Sequence, residues 1–236
     1  MYVNFGGFVS FSTVDWRGRA ACTVFLRGCP ARCFYCHNVD LQGGEDLRDA
    51  DEVIALIRGS RTVAGAVVFS GGEPTLQGPV LLHLAAAARA MGLSVGLHTN
   101  GMFPDVLEDL LDRRLVDMVA LDLKTTWERY DDLLEVAAVD AVKQSLAACR
   151  RAKAGGSLGT CQVVVTLFRG REDELLSIAE AAGGLELVLQ QGVAAGFVPL
   201  TRQELEAAAA PLRRSVLIRT REDGEVGYDP EQQPFR

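Results

Sequence analysis

The residues with the clearest chemical potential lie in one short run, Cys29-Pro-Ala-Arg-Cys33-Phe-Tyr-Cys36. Thiolates are soft ligands that suit zinc or iron–sulfur centres. A structural zinc site needs four closed ligands. Cys29, Cys33 and Cys36 supply three, and His37, adjacent to Cys36, is poorly placed to join it on one ion. Three thiolates would instead leave one iron of a [4Fe–4S] cluster without a protein ligand, open to bind and reduce a further molecule. Disulfides are the other use of clustered cysteines, but they need an oxidising compartment. The segment from Met1 to Gly18 has no charged region ahead of its apolar residues, and Asp15 and Arg17 interrupt its later part, so it does not read as a secretory signal. A cytoplasmic location is expected, where such a cluster points to metal.

These cysteines must be held by a scaffold, and the scaffold is legible as a rhythm. Seven apolar runs read as strands: Ala21–Leu26, Ala66–Phe69, Ser94–Leu97, Met118–Leu123, Gln162–Leu167, Leu185–Leu189 and Val216–Ile218. Helical patterns alternate with them. Asp51–Arg58 puts Val53, Ile54 and Ile57 on one face; Pro79–Met91 is apolar almost all round; Pro104 opens a helix with a Val106, Leu107, Leu110, Leu111 stripe. Val139–Lys153, Glu172–Ala182 and Thr201–Leu212 complete the set. Strand–helix alternation implies parallel strands with crossover helices. A closed eightfold barrel takes about 250 residues. Here roughly the first 20 residues and the loop from Cys29 to Gly44 contribute no such unit. An incomplete (β/α)6-type parallel barrel of α/β class is therefore expected, with an open doubly wound sheet as the alternative. One domain over residues 1–236 is expected, its core spanning about 18–220, with a polar, ragged tail over about 222–236.

In either architecture the chemistry belongs at the carboxyl ends of the strands. Those ends carry Arg27-Gly28-Cys29, Ser70-Gly71-Gly72-Glu73-Pro74, His98-Thr99-Asn100-Gly101, Asp122-Leu123-Lys124 and Gln190-Gln191-Gly192. Polar and glycine-rich groups thus converge on one rim. The composition excludes some partners. Basic minus acidic residues is 24 − 31, a net charge of −7, and aromatics are 7%, which argues against a polyanion-binding face and a base-stacking platform. No run of 18 or more apolar residues is present, so no membrane span is expected. Cys22, Cys149 and Cys161 fall inside strand or helix patterns and read as packing residues.

Taken in order, Ser12-Thr13-Val14-Asp15, the cysteine run, Tyr35-Cys36-His37-Asn38, Ser70-Gly71-Gly72-Glu73-Pro74-Thr75-Leu76-Gln77, Thr99-Asn100-Gly101, Asp122-Leu123-Lys124 and Leu189-Gln190-Gln191 resemble the radical S-adenosylmethionine superfamily. The similarity, from about Gly7 to Gln191, is closer to activating enzymes of glycyl radical enzymes, and most like the short activases of anaerobic ribonucleoside-triphosphate reductase. The resemblance implies a [4Fe–4S] cluster held by Cys29, Cys33 and Cys36, with S-adenosylmethionine chelated by the fourth iron. It implies reductive cleavage of that cofactor and hydrogen abstraction by the 5′-deoxyadenosyl radical. It places Tyr35 against the adenine, and Asn38, Ser70, Thr99, Asn100 and Asp122 among the cofactor contacts. Gly71, Gly72 and Glu73 would receive the methionine amino group: glycines allow close backbone approach, and a carboxylate suits an ammonium. Asp15 and Lys124 would be the catalytic, substrate-facing residues. The implied partners are a glycyl radical enzyme and a flavodoxin or ferredoxin as electron donor. A small-molecule radical enzyme of the carboxydeazaguanine synthase kind, and a non-catalytic iron–sulfur binding protein, are the alternatives.

Two positions depart from the activase pattern. His98 stands where those activases carry an Asp that helps hold a monovalent cation, together with the residue matched by Asp122. Either the imidazole replaces the cation and pairs with the cofactor carboxylate or Asp122, or it is a strand-end histidine bonded to backbone. Thr160-Cys161-Gln162 occupies the region where an Arg often touches the cofactor.

Overall fold

The computed structural model describes residues 1–232. A single ten-stranded sheet organises them. The strands are β1 (Tyr2–Ser12), β2 (Ala21–Leu26) and β3 (Leu47–Asp49), followed by β4 (Ala66–Gly71), β5 (Ser94–Thr99), β6 (Met118–Asp122), β7 (Thr160–Leu167), β8 (Glu186–Gln191), β9 (Val216–Thr220) and β10 (Gly224–Tyr228). The helices are α1 (Ala50–Ser60), α2 (Gly78–Ala90), α3 (Pro104–Asp112), α4 (Tyr130–Leu134), α5 (Val139–Ala154), α6 (Leu175–Ala182) and α7 (Arg202–Ala209).

The order across the sheet is β10-β9-β8-β7-β6-β5-β4-β2-β1-β3. The seven strands from β2 to β9 that omit β1 and β3 pair in parallel, and they are the seven apolar runs of the sequence. The barrel is incomplete, as expected: β3 and β10 leave two edges. Three strands go beyond that expectation. β1 and β3 pair antiparallel beside β2, and β10 pairs antiparallel with β9. Gly224–Tyr228 reads from sequence as part of a ragged polar tail; it is instead a regular edge strand with Tyr228 buried. Residues 233–236 of that tail lie outside the described residues. No helix among the described residues is long and apolar enough to cross a membrane.

Two apolar layers result from the period-two alternation of strand side chains. The outward residues meet the helices in the main core, with Phe69, Leu97, Leu121 and Leu189 fully buried. The inward residues form a second, smaller core of Trp16, Ala21, Ala66, Val68, Met118, Ala120, Val164, Val188 and Leu217. That inner core occupies the amino-terminal part of the barrel. Trp16, on the loop between β1 and β2, plugs it from below. Each strand's inward row then turns polar toward its carboxyl end: Ala66-Val68-Ser70, Met118-Ala120-Asp122, Val164-Thr166, Val188-Gln190 and Leu217-Arg219. The cavity lies where that change occurs.

Candidate active site

The cysteine loop leaves β2 and returns to nearly the same point. Gly28 N–H donates to Leu41 O (2.7 Å) and Cys29 N–H to Gln42 O (3.1 Å), closing its base. Arg27 reinforces the return leg, donating to Asp40 O and Gly43 O. Within the loop, Cys36 N–H donates to Cys33 O (3.1 Å). His37 bonds Val193 O (3.2 Å) beyond β8, tying the loop to the far rim.

Cys29, Cys33 and Cys36 line one cavity of about 230 Å³ together with Tyr35, Asn38, Ser70, Gly71, Gly72, His98, Thr99, Asn100, Asp122 and Lys124. That is several times the share of one water, about 30 Å³. All three cysteines are free thiols, half-buried. Burial pushes the Cys29 thiol up to about 11 and raises Cys33 as well, so loading a metal group here must release protons. Among the described residues no three Cys, His, Asp or Glu side chains converge tightly enough to hold one metal ion. Three thiols lining one cavity fit a cluster whose irons each take one thiolate.

Gly71 and Gly72 are required by the scaffold itself. Gly71 has φ +127°, and a Cβ there would lie 2.3 Å from Leu26 O; one on Gly72 would lie 2.3 Å from Gly28 O and 2.8 Å from Leu41 O. The end of β4 thus runs against the base of the cysteine loop with no room for a side chain. Gly72 N–H donates to Leu26 O and Glu73 N–H to Gly28 O. Asn38 donates from Nδ2 to Gly71 O (3.1 Å), fastening the loop's far side to the same strand end.

Glu73 requires a correction. The resemblance aims its carboxylate at an ammonium, but the side chain is fully buried and absent from the cavity wall. Oε1 accepts from Thr75 N–H (3.0 Å), the Thr75 hydroxyl and the Thr99 hydroxyl (2.7 Å), while Oε2 accepts from Asn100 N–H (2.7 Å). Four donors fill a carboxylate's acceptor sites. Burial still raises Glu73 above the usual carboxylate range against those bonds. The side chain is a hub joining the ends of β4 and β5.

Asp15 is corrected too. It does not line the cavity: its Oδ2 accepts from the Thr23 hydroxyl (2.7 Å), and its carbonyl faces His98 Nε2 at 2.9 Å. Of the two readings of His98, the structure presents the backbone bond, with no hydrogen bond to Asp122. A carbonyl only accepts, so Nε2 carries the proton. Burial lowers the His98 pKa, which keeps the ring neutral. Lys124 Nζ donates to Asp122 Oδ2 at 2.6 Å, and both line the cavity. Burial opposes the Lys124 charge, but Asp122, Tyr35 and Cys33 together outweigh that, so its pKa rises. The Lys124 ammonium also lies 5.8 Å from the Tyr35 ring centroid. Tyr35 packs against Phe34 and Phe168 (centroids 4.9 and 5.0 Å), and its buried hydroxyl has no partner among the described residues.

The region of Thr160-Cys161-Gln162 contributes nothing to the wall; Gln162 Nε2 bonds Glu186 (2.6 Å), and Val164 and Thr166 face the cavity instead. Arg219 was missed. It lines the far wall, held by Glu225 Oε2 (2.9 and 2.6 Å) and Gln190 Oε1 (3.0 Å). The strand-end rule, extended to the last apolar run, would have found it. Cys22, Cys149 and Cys161 are buried in the core.

The Radical SAM superfamily model matches residues 23–182, and the chain belongs to that superfamily. Its members use a [4Fe–4S] cluster and S-adenosylmethionine. The chain is 35% identical over 133 residues to a Methanocaldococcus jannaschii protein provisionally named a glycyl-radical enzyme activating enzyme, covering 55% of this chain and 53% of that one. It is 36% identical over 126 residues to pyruvate formate-lyase 1-activating enzyme of Escherichia coli, covering 50% of each. It is 41% identical over 100 residues to 7-carboxy-7-deazaguanine synthase of Pyrobaculum aerophilum, covering 41% and 43%. The matches thus span about half the length of these relatives or less. Among solved structures, TYW1 with a lysine-pyruvate adduct bound superposes with a TM-score of 0.67 at 17% identity, covering 94% of this chain and 84% of that one; this likeness concerns the fold.

Proposed function

We propose that this protein is a glycyl radical enzyme activase, and that its target is an anaerobic ribonucleoside-triphosphate reductase. The observation that carries the activase reading is the 35–36% identity to two proteins named as activators; the reductase as target rests on the motif spacing. When bound, the cluster and S-adenosylmethionine supply a carbon-centred radical that removes a hydrogen atom. In this reading Cys29, Cys33 and Cys36 hold the cluster, the first two shielded by burial. Gly71 and Gly72 offer backbone rather than side chains to the cofactor, and Asn38 and Glu73 keep that backbone in place. Lys124 presents a cation fixed by Asp122, the kind of group that meets a carboxylate. His98 contributes a neutral ring to the floor. Ser70, Thr99 and Asn100 complete the wall on that side. The substrate is a backbone glycine of the partner, and the electron donor is a flavodoxin or ferredoxin. An acidic chain of net charge −7 suits neither a nucleic acid nor an anionic membrane.

A second reading, a small-molecule radical enzyme, is favoured by the identity to 7-carboxy-7-deazaguanine synthase. One experiment separates the two. The protein is reconstituted anaerobically with iron and sulfide, reduced, and given S-adenosylmethionine; 5′-deoxyadenosine is measured. Anaerobic ribonucleoside-triphosphate reductase is then added, and a glycyl EPR doublet is expected. Turnover without a doublet refutes the reductase as target, and no turnover refutes both readings.

A further inference from the structure

Asn100 closes β5 beside the cysteine loop and is nearly fully buried. Its backbone N–H and both side-chain polar atoms are committed. The backbone N–H donates to Glu73 Oε2 (2.7 Å), and Oδ1 accepts from Met102 N–H (3.0 Å). The Met102 bond fixes which way the amide is turned, because an N–H cannot donate to an NH2 group. Nδ2 therefore faces Cys29, and it donates to Sγ at 3.6 Å. Among the described residues, Cys29 is the one cysteine of the three whose sulfur receives a side-chain hydrogen bond.

A donor aimed at a ligating sulfur stabilises the more negative, reduced form of a cluster, so hydrogen bonds to the sulfurs tune its potential. We propose that Asn100 is a positioning residue that raises the reduction potential of the cluster through its N–H···S bond to Cys29. This assigns Asn100 to the cluster ligand rather than to S-adenosylmethionine. It rests on the superfamily cofactor, not on the identity of the hydrogen donor. The arrangement also joins the potential to the scaffold: through Glu73, the same residue is tied to the Gly71-Gly72 strand end.

The test compares reconstituted wild type with Asn100→Leu, which removes the donor while keeping the branched side-chain shape, and Asn100→Asp, which keeps the Met102 acceptor but replaces the donor by a charge. Iron and sulfide content is measured first. The midpoint potential is then read by EPR-monitored redox titration without S-adenosylmethionine. The terminal Fe–S stretches are read by resonance Raman. The expected result is full iron loading in all three, a midpoint more negative in Asn100→Leu than in wild type and more negative again in Asn100→Asp, and a shift of the terminal stretches in both. An unchanged or more positive midpoint in Asn100→Leu with full iron overturns the proposal. So does loss of iron from both variants, which would make Asn100 a requirement for assembly. Failure of wild type itself to load a cluster overturns the cofactor assignment beneath it, and is told apart by that first iron measurement.

Discussion

Glu73 offers the sharpest test of how the site is built. A carboxylate that contacts the cofactor and one that braces the scaffold predict different outcomes on removal. In Glu73→Gln the amide oxygen can take the place of Oε1 and keep Thr75 N–H, the Thr75 hydroxyl and the Thr99 hydroxyl. The NH2 group then faces Asn100 N–H, donor against donor. One buried N–H left unsatisfied costs about 1–3 kcal/mol. In Glu73→Ala both backbone donors, Thr75 N–H and Asn100 N–H, lose their acceptor, while the hydroxyls can turn elsewhere; the cost is about 2–6 kcal/mol before any cavity term. For a chain of this size each kcal/mol moves the melting temperature by roughly 2–4 °C. The Gln variant should therefore melt about 2–12 °C lower, and the Ala variant lower still. The assay is thermal unfolding of the metal-free protein by circular dichroism, with calorimetric binding of S-adenosylmethionine to the reconstituted protein as the second readout. If Glu73→Ala melts within about 2 °C of wild type yet loses cofactor binding, the bracing argument is refuted, and the carboxylate acts on the ligand.

Two further outcomes rest on the same geometry. Gly72→Ala places a methyl against Gly28 O and Leu41 O, which are backbone atoms that cannot swing aside; overpacking of about 1–3 kcal/mol or more and reduced iron loading are expected, checked by urea midpoint and iron content. His98 has a folded-state pKa held below 6.5 by burial, so it contributes stability present above about pH 6.5 and lost as pH falls below it. Urea midpoints at pH 7.5 and 5.5 should drop more for wild type than for His98→Gln, and parallel drops would count against the neutral buried ring.

The seven parallel strands were legible because each is a buried apolar run, and because βα alternation leaves few topologies. The strands that escaped lack that signature. β1 carries Gly6-Gly7 at a register shift in its pairing, β3 has three residues, and β10 is a short edge strand interrupted by two glycines and a glutamate. The rim was legible from the residues just past each strand. Orientation was not. Ser70 and Asp122 sit on strands, where period two settles which way they face. Glu73 lies just past a strand, where it does not, and its four donors come from segments up to 27 residues away. Asp15 likewise comes after a strand, on a loop whose course depends on Trp16 entering the barrel floor. Arg219 obeys the strand alternation and was within reach.

The closed base of the cysteine loop has an engineering consequence. Since Gly28 and Cys29 bond directly to Leu41 and Gln42, the chain enters and leaves the loop at one point, like a drawn purse. Changes of length inside the loop are then contained by that closure and need not shift either strand end, provided Asn38 keeps its bond to Gly71 O and His37 its bond to Val193 O; doubling a flexible loop costs only about 0.6 kcal/mol. Cluster-side surface can thus be respecified around those two anchors while the barrel and its polar rim stay as they are.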